Sequence, residues 1–435
     1  MKPIDRFFGI SELGSTIPRE LIGGVVTFFS MVYILAVQPG MMTAAGMDAG
    51  QVFTATALSA GVATLAMAFV GRLPIALASG LGINAFIAFT VCGAMGFTWQ
   101  TAIAAVFVEG IVFIILSVTN VREKIIDGIP DTLKKAVALG IGMFIAIIGL
   151  VDADILAVGG GTPLAINSIT SGAPLVAIIG LIVMIALYTL KVPGSIFIAI
   201  VAATLIGIPL GVTQGIPTII GIPSAPYTPV DIIGGLAGVK LIDFVIVFIS
   251  LLFIDMFDTI STFAGIAEQG NLKDANGKIR HVKGGLLSDA LGTVFGSLIG
   301  ATTVTSYIES GTGVATGART GLASVVTGLL FLVALIFSPL FLAIPSAAVA
   351  PALIFVGFLM LGAVTGLDFK NIEVGLPVFI TMLMVPASYS ISEGLAWGFV
   401  TYTLVKVCNK KARDISIPTW ILTAVFLVKI LFIHV

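Results

Sequence analysis

Three carboxylates stand in stretches of this chain that are otherwise strongly apolar or rich in glycine. DFVIVFISLLFIDMFDTISTFAGI places Asp255 and Asp258 three residues apart, and TTVTSYIESGTGVATGARTGLAS places Glu309 among hydroxyl residues and glycines. On a helix the two aspartates share one face, with Thr259 and Thr262 close by. A carboxylate at bilayer depth costs about 2.5–3.5 kcal/mol on insertion scales, so it marks a functional site or a buried partner. Desolvation and mutual repulsion both favour the protonated carboxyl, which is what a group carrying protons at physiological pH requires. The competing reading is structural: buried carboxylates tied to a hydroxyl or to backbone for packing, with Asp258 serving mainly to position Asp255.

The setting explains why such groups are conspicuous. Of 435 residues, 58% are hydrophobic and only 10% charged, against about 25% charged in soluble chains. Mean hydropathy is +1.17. Many apolar runs approach the roughly 20 residues that span a bilayer, so the chain reads as an all-α polytopic membrane protein. A net charge of −1 with no basic tail gives no sign of nucleic-acid binding. Cys92 and Cys408 are far apart and imply no disulfide framework, and His281 and His434 are too few for a metal site, so neither metal nor cofactor is expected. The polar amino end does not read as a cleavable signal.

Hydropathy predicts spans at 21–39, 51–70, 75–94, 99–119, 136–151, 174–190, 194–212, 241–262, 286–301, 303–318, 320–338, 347–363, 375–389 and 391–407, with a further apolar run at 416–433. With the amino terminus in the cytoplasm, the basic residues Arg72, Arg122, Lys124, Lys134, Lys135, Lys191, Lys273, Lys278, Arg280, Lys283, Arg319, Lys370, Lys406, Lys410, Lys411 and Arg413 fall in inner loops. The outer loops near 40–50, 95–98 and 152–173 hold no Lys or Arg. Parity is kept over fourteen spans, leaving 416–433 as an additional helix at the interface or across the membrane.

Fourteen spans suggest two halves of seven with inverted topology. The third span is interrupted by glycine in IALASGLGINAF, and the third span of the second half is the Glu309 segment. Its β-branched lead-in, Thr302 to Thr305, predicts a short extended piece followed by a helix. Irregular backbone at that depth must be buried in protein or line a cavity. Paired interrupted segments in matching positions point to a binding site. The alternatives are helix packing for Gly80 and Gly82, and a polar cytoplasmic loop for the later stretch.

Asn84, in GLGINAF, would offer donors and an acceptor where the third span resumes. The two resumed helices would aim backbone N–H groups at a common centre, which suits a planar ligand with several acceptors. Phe29, Tyr33, Phe86, Phe257 and Tyr307 are candidate stacking surfaces, though each alone reads more readily as core or lipid-facing. Glu109 needs a partner and reads equally as inter-helix structure or proton relay. Glu393 is placed near a helix end and Asp243 in solvent. Arg72 and Arg319 read as cytoplasmic anchors, and 268–283 as a solvated connector.

Over nearly its whole length the sequence resembles the AzgA-like purine permeases, a branch of the nucleobase–cation symporters distantly related to the uracil and xanthine permeases. The motifs include TIPRELIGGVVTFFSMVYILAVQPGMM, GMDAGQVFTATALSA, GLGINAF, GAMGFTWQ, GIGMFIAIIGL, FIDMFDTISTFAGI, TSYIESGTGVATGARTGLASVV and YSISEGLAWGF. The resemblance implies fourteen transmembrane segments in two inverted seven-helix repeats, with short extended pieces in segments three and ten crossing at mid-membrane. It implies a core domain (20–120 and 240–338), a gate domain (136–212 and 345–410) and a C-terminal helix (411–435). It also implies that Asn84, Asp255 and Glu309 bind substrate and couple protons, with Asp258 in support. Thr305 and the backbone around Ala85, Tyr307, Ile308 and Ser310 would complete the site, and the wider fold family suggests a homodimer. Ser79, Gln38 and Ala318 depart from the residues common in the family, as does Asp255 from the Asn of some relatives, which bears on the choice among adenine, guanine and hypoxanthine.

The expectation is therefore a proton-coupled importer of purine nucleobases in the cytoplasmic membrane, working by alternating access. A sodium-coupled permease would use the same carboxylates. An anion transporter would favour a cation at the site, and the candidates are acidic. An intramembrane aspartyl enzyme would need two Asp sharing a proton across a cleft, whereas Asp255 and Asp258 lie within one helical turn.

Overall fold

Helices form over the apolar runs, and polar side chains mark several of their starts. Asp48 Oδ1 accepts from Gln51 N (2.9 Å), Thr98 Oγ1 from Thr101 N (3.3 Å) and Asn371 Oδ1 from Glu373 N (3.0 Å), each satisfying an amide that has no partner within its helix. The computed structural model describes residues 3–119, 128–159, 162–170, 172–215, 217–273 and 279–432. Arg122, Lys124 and Lys278 lie outside the described residues. Seven helical stretches among the described residues are long and apolar enough to cross a membrane: Ile17–Ala44, Ala49–Gly71, Trp99–Val118, Asp131–Asp152, Gly172–Thr189, Gly321–Leu342 and Ser346–Val364. The aspartates lie in a 30-residue helix, Leu241–Gly270, followed by Val282–Leu298. Shorter apolar helices include Ser195–Gly207 and Ile372–Ala387; Ile391–Cys408 precedes the C-terminal Ile417–Phe432.

Two expected spans are interrupted where chemistry collects. The first runs Ile17–Met31 and resumes as Ile34–Ala44, with Val32 and Tyr33 at the break. The break lies just ahead of Leu35, the carbonyl that the Pro39 ring crowds and that a prolyl nitrogen cannot serve as donor. In the third, strand β1 (Leu77–Ser79) leads into Leu81–Ala85, which continues as a wider π-helical stretch, Phe86–Ala94. A hairpin of β2 (Leu156–Gly159) and β3 (Thr162–Ile166) occupies the stretch expected to be a plain outer loop.

Strand β4 (Val304–Ser306) pairs antiparallel with β1 in the register Leu77↔Ser306, Ala78↔Thr305 and Ser79↔Val304. The short helix Ser310–Ala315 follows, with Glu309 at its N-cap, and then Gly321–Ala334. The stretch is thus two interrupted helical pieces behind a buried strand, and the polar-loop reading fails. Two flanking bonds extend the ladder: Tyr307 N to Ala76 O and Gly80 N to Thr303 O, both 3.0 Å. Each strand is also clamped by one threonine. Leu77 N and O bond Thr64 Oγ1 at 2.9 and 3.1 Å, and Val304 N and O bond Thr293 Oγ1 at 3.2 and 2.9 Å.

Close backbone approach seats these elements. A Cβ on Gly313 would lie 2.2 Å from Thr27 Oγ1 and 2.4 Å from Gly23 O, so the short helix sits against the first helix only as glycine. The C-terminal helix packs along Ile391–Cys408 through Phe399 and Phe426 (5.5 Å), a Thr403–Thr423 hydroxyl pair (2.7 Å) and a Lys429–Glu393 ion pair (2.6 Å).

Candidate functional site

A cavity of about 370 Å³ opens beside the β1–β4 crossing, within the roughly 300–1,000 Å³ typical of ligand pockets. One wall carries Tyr33, Asp258, Ser306, Tyr307, Ile308 and Glu309; the other is apolar, with Ile141 and Ile145 from Asp131–Asp152 and Val356 and Met360 from Ser346–Met360. Tyr33, freed from regular helix at the break, donates its hydroxyl to Glu309 Oε1 at 2.5 Å. Tyr307 donates to the carbonyl of Ser79 at 2.5 Å, locking β4 against the end of β1. Ile308 and Glu309 also border a second cavity of about 1,120 Å³, shared with Ser30, Gln269, Lys191 and Thr312. Glu309 thus stands between a smaller pocket and a larger one.

Of the residues singled out from sequence, Asp258, Tyr307, Ile308, Glu309 and Tyr33 come together at this cavity. Asn84, Ala85, Asp255, Thr305 and Ser310 do not line it. Asn84 is fully buried and closes a ring: its amide donates to Gln38 Oε1, Gln38 Nε2 to Thr302 Oγ1 (3.0 Å), and Thr302 Oγ1 to Asn84 Oδ1 (2.5 Å). Ser310 Oγ accepts from Ala76 N at 3.0 Å. Asp255 is buried behind the wall, in a cluster with Asp289, Thr259, Thr305 and Ser306. There Thr259 Oγ1 lies 3.4 Å from Asp255 Oδ1, 3.1 Å from Asp289 Oδ2 and 2.9 Å from Thr305 Oγ1. The helix face explains the difference in position: the three-residue spacing separates the two aspartates enough that one lines the cavity and the other joins, through Thr259, Asp289 of Val282–Leu298.

The expected stacking surfaces divide in the same way. Phe86 and Phe257 are core. Phe29 lines a separate apolar crevice of about 440 Å³ with Phe28 and Phe197, where Thr204 and Thr213 are the polar side chains. Both hydroxyls there donate to backbone carbonyls, Thr204 to Ile200 O and Thr213 to Thr204 O, each at 2.8 Å. Tyr33 bonds Glu309 by its hydroxyl, so its part is polar as well as aromatic.

Asp289 is not among the residues the sequence singles out, although a lone carboxylate inside the 286–301 span is a signal of the same kind as Glu309. Gln38 stands out in the sequence only as a departure from the family's usual residue, yet it completes the ring around Asn84. Glu109 is fully buried and accepts from Thr303 Oγ1 at 2.6 Å, just ahead of β4. Asp243 falls in the first turn of its helix and Glu393 in the first turn of Ile391–Cys408.

Comparison with known proteins decides the family: residues 18–396 match the Permease family. The chain belongs to that family. This permease is 40% identical to the guanine/hypoxanthine permease PbuG of Bacillus subtilis, over 98% of this chain and 99% of that protein. It is 37% identical to the adenine permease AdeP of Escherichia coli, over 99% and 96%. The resemblance to purine permeases seen in the sequence motifs is borne out, and the aspartyl-enzyme reading gives way, since permeases are transporters. In fold, the permease is similar to the transmembrane domain of the cyanobacterial bicarbonate transporter BicA, with a TM-score of 0.67 at 17% identity, covering 87% of this chain and 97% of that one.

Proposed function

We propose that this permease imports purine nucleobases (adenine, guanine or hypoxanthine) across the cytoplasmic membrane together with protons, by alternating access. The observation that carries the reading is the convergence of Glu309, Asp258 and the Tyr307–Glu309 backbone on one cavity at the strand crossing. A carboxyl there can take up a proton and face the ring N–H groups of a base, while strand-end backbone supplies further donors and acceptors. Asn84, Asp255 and Thr305 act from behind the wall, fixing the strands and the helix that present these groups. Relatives whose names specify guanine, hypoxanthine and adenine support the substrate class.

The architecture proposed is fourteen segments in two inverted repeats, amino terminus inside. The matching threonine clamps on β1 and β4, and the matching flanking bonds, support it, because each exchanges with the other when the strands are exchanged. The cavity then lies between a core bearing the polar wall and a gate bearing the apolar one. Coupling follows if protonated carboxyls bind base better in one arrangement of the two bodies than in the other.

Uptake of labelled hypoxanthine, guanine and adenine into proteoliposomes, with an imposed pH gradient and no sodium, tests this. Accumulation that collapses with an uncoupler is expected, and competition then ranks the bases. Accumulation only with sodium would replace the coupling ion; none under either condition would overturn the substrate.

A further inference from the structure

Away from the cavity, four arginines from four stretches of chain converge near the amino terminus. Arg6 lies in the helix Pro3–Phe8, Arg72 follows the π-helical Met67–Gly71, Arg280 precedes Val282–Leu298, and Arg319 follows the short helix beyond β4. With His281 they border a cavity of about 120 Å³ on whose wall Glu12 is the one carboxylate. Among the described residues the ion pairs all employ lysine, so none joins a carboxylate to these guanidiniums; the nearby buried Glu20 carboxylate is taken up by the backbone N–H groups of Arg319 (2.8 Å) and Thr320 (3.2 Å).

Two of the arginines are anchored rather than loose. Arg72 lies over the Phe7 ring at 4.6 Å, and Arg319 Nη1 donates to the carbonyls of Val314 (2.5 Å) and Ala318 (2.7 Å), leaving its other donors available. Arg72 and His281 both hold left-handed backbone, at φ +52° and +53°, an uncommon conformation for residues with side chains. No side chain caps the helix that starts after His281, so its positive end adds to the field. Partial desolvation, then the charges of Arg72 and Arg280, hold the His281 imidazole below its ordinary range.

Positive charge gathered on one small concave wall attracts an anion, and arginine forks match phosphate oxygens better than they match solvent. At about 30 Å³ per water, the space suits about four waters or one phosphoryl group. We propose that this cavity binds a phosphoryl group, carried by free phosphate or by the headgroup of an anionic phospholipid. Because Arg319 grips the end of the short helix and Arg72 stands just ahead of β1, occupancy ties both interrupted segments to the amino-terminal helix.

The full-length protein would be followed by thermal unfolding in neutral detergent, with sodium phosphate titrated against sodium chloride at matched ionic strength. A parallel arm would use nanodiscs of phosphatidylcholine with and without phosphatidylglycerol. Stabilisation by phosphate identifies the free anion; stabilisation by phosphatidylglycerol alone identifies the headgroup. Arg6→Gln with Arg280→Gln should weaken the response at least about tenfold, two charge-assisted contacts being lost. Glu12→Gln should tighten it, and Lys370→Gln should leave it unchanged. Should the double variant not fold, Glu12→Gln decides alone: tighter binding supports the site and unchanged binding overturns it. No stabilisation in either arm, or an undiminished response in a folded double variant, also overturns it.

Discussion

Glu309 and Asp258 reach one cavity from different elements. Glu309 is held by the Tyr33 hydroxyl at 2.5 Å, a charge-assisted bond when the carboxylate is ionised. Removing that donor in Tyr33→Phe should raise the KM for purine uptake about tenfold while leaving membrane insertion intact, since bonds to charged groups contribute roughly 1.5–3 kcal/mol. An unchanged KM would remove Tyr33 from the site. Asp258→Asn and Glu309→Gln should each abolish accumulation in proteoliposomes. Asp255→Ala should instead lower the melting temperature first, because its cluster with Thr259 and Asp289 lies behind the wall. A stable, fully folded Asp255→Ala that has lost purine binding would return Asp255 to the wall.

At the scale of elements, the two strands are three residues each and survive because a threonine holds both polar groups of one residue in each. Thr64→Val and Thr293→Val leave buried backbone groups unpaired, and each should cost about 1–3 kcal/mol. Calorimetry of the purified variants should give similar losses, as befits matched roles; a neutral result at one site would break the correspondence between the halves. Gly313→Ala should drive the short helix from the first helix, since its Cβ has no room beside Thr27 and Gly23. Overpacking of this kind costs about 1–3 kcal/mol. Wild-type stability and uptake in that variant would show the contact to be slack.

Over the whole molecule, transport by two bodies requires the polar and apolar walls to move apart. Gly82 and Ile141 stand on opposite sides, and a Cβ on Gly82 would meet Ile141 Cγ2 at 2.8 Å. With Cys92 and Cys408 replaced by serine, Gly82→Cys with Ile141→Cys should cross-link on oxidation and stop uptake, and reductant should restore it. Full uptake by the cross-linked protein would mean that no such movement is needed. The lysine–glutamate pair that buries Lys429 against Glu393 holds the C-terminal helix against Ile391–Cys408, and none of its described residues lines the cavity.

The sequence by itself determined the membrane class, the helical fabric, the two interrupted stretches and the costly carboxylates Asp255, Asp258, Glu309 and Glu109, though not Asp289. Each of these follows from local composition, because apolar length, β-branched and glycine runs, and a charge in hydrocarbon are properties of a short window. The motifs also carried the family. Only the tertiary structure decided which carboxylate faces the cavity, for Asp255 and Asp258 share a helix and differ only in what packs against each. It likewise decided that Asn84 is spent on Gln38 and Thr302, and that Asp289 joins the cluster from another helix. Such pairings join residues tens to hundreds of positions apart, and no periodicity within one segment encodes the partner it will meet.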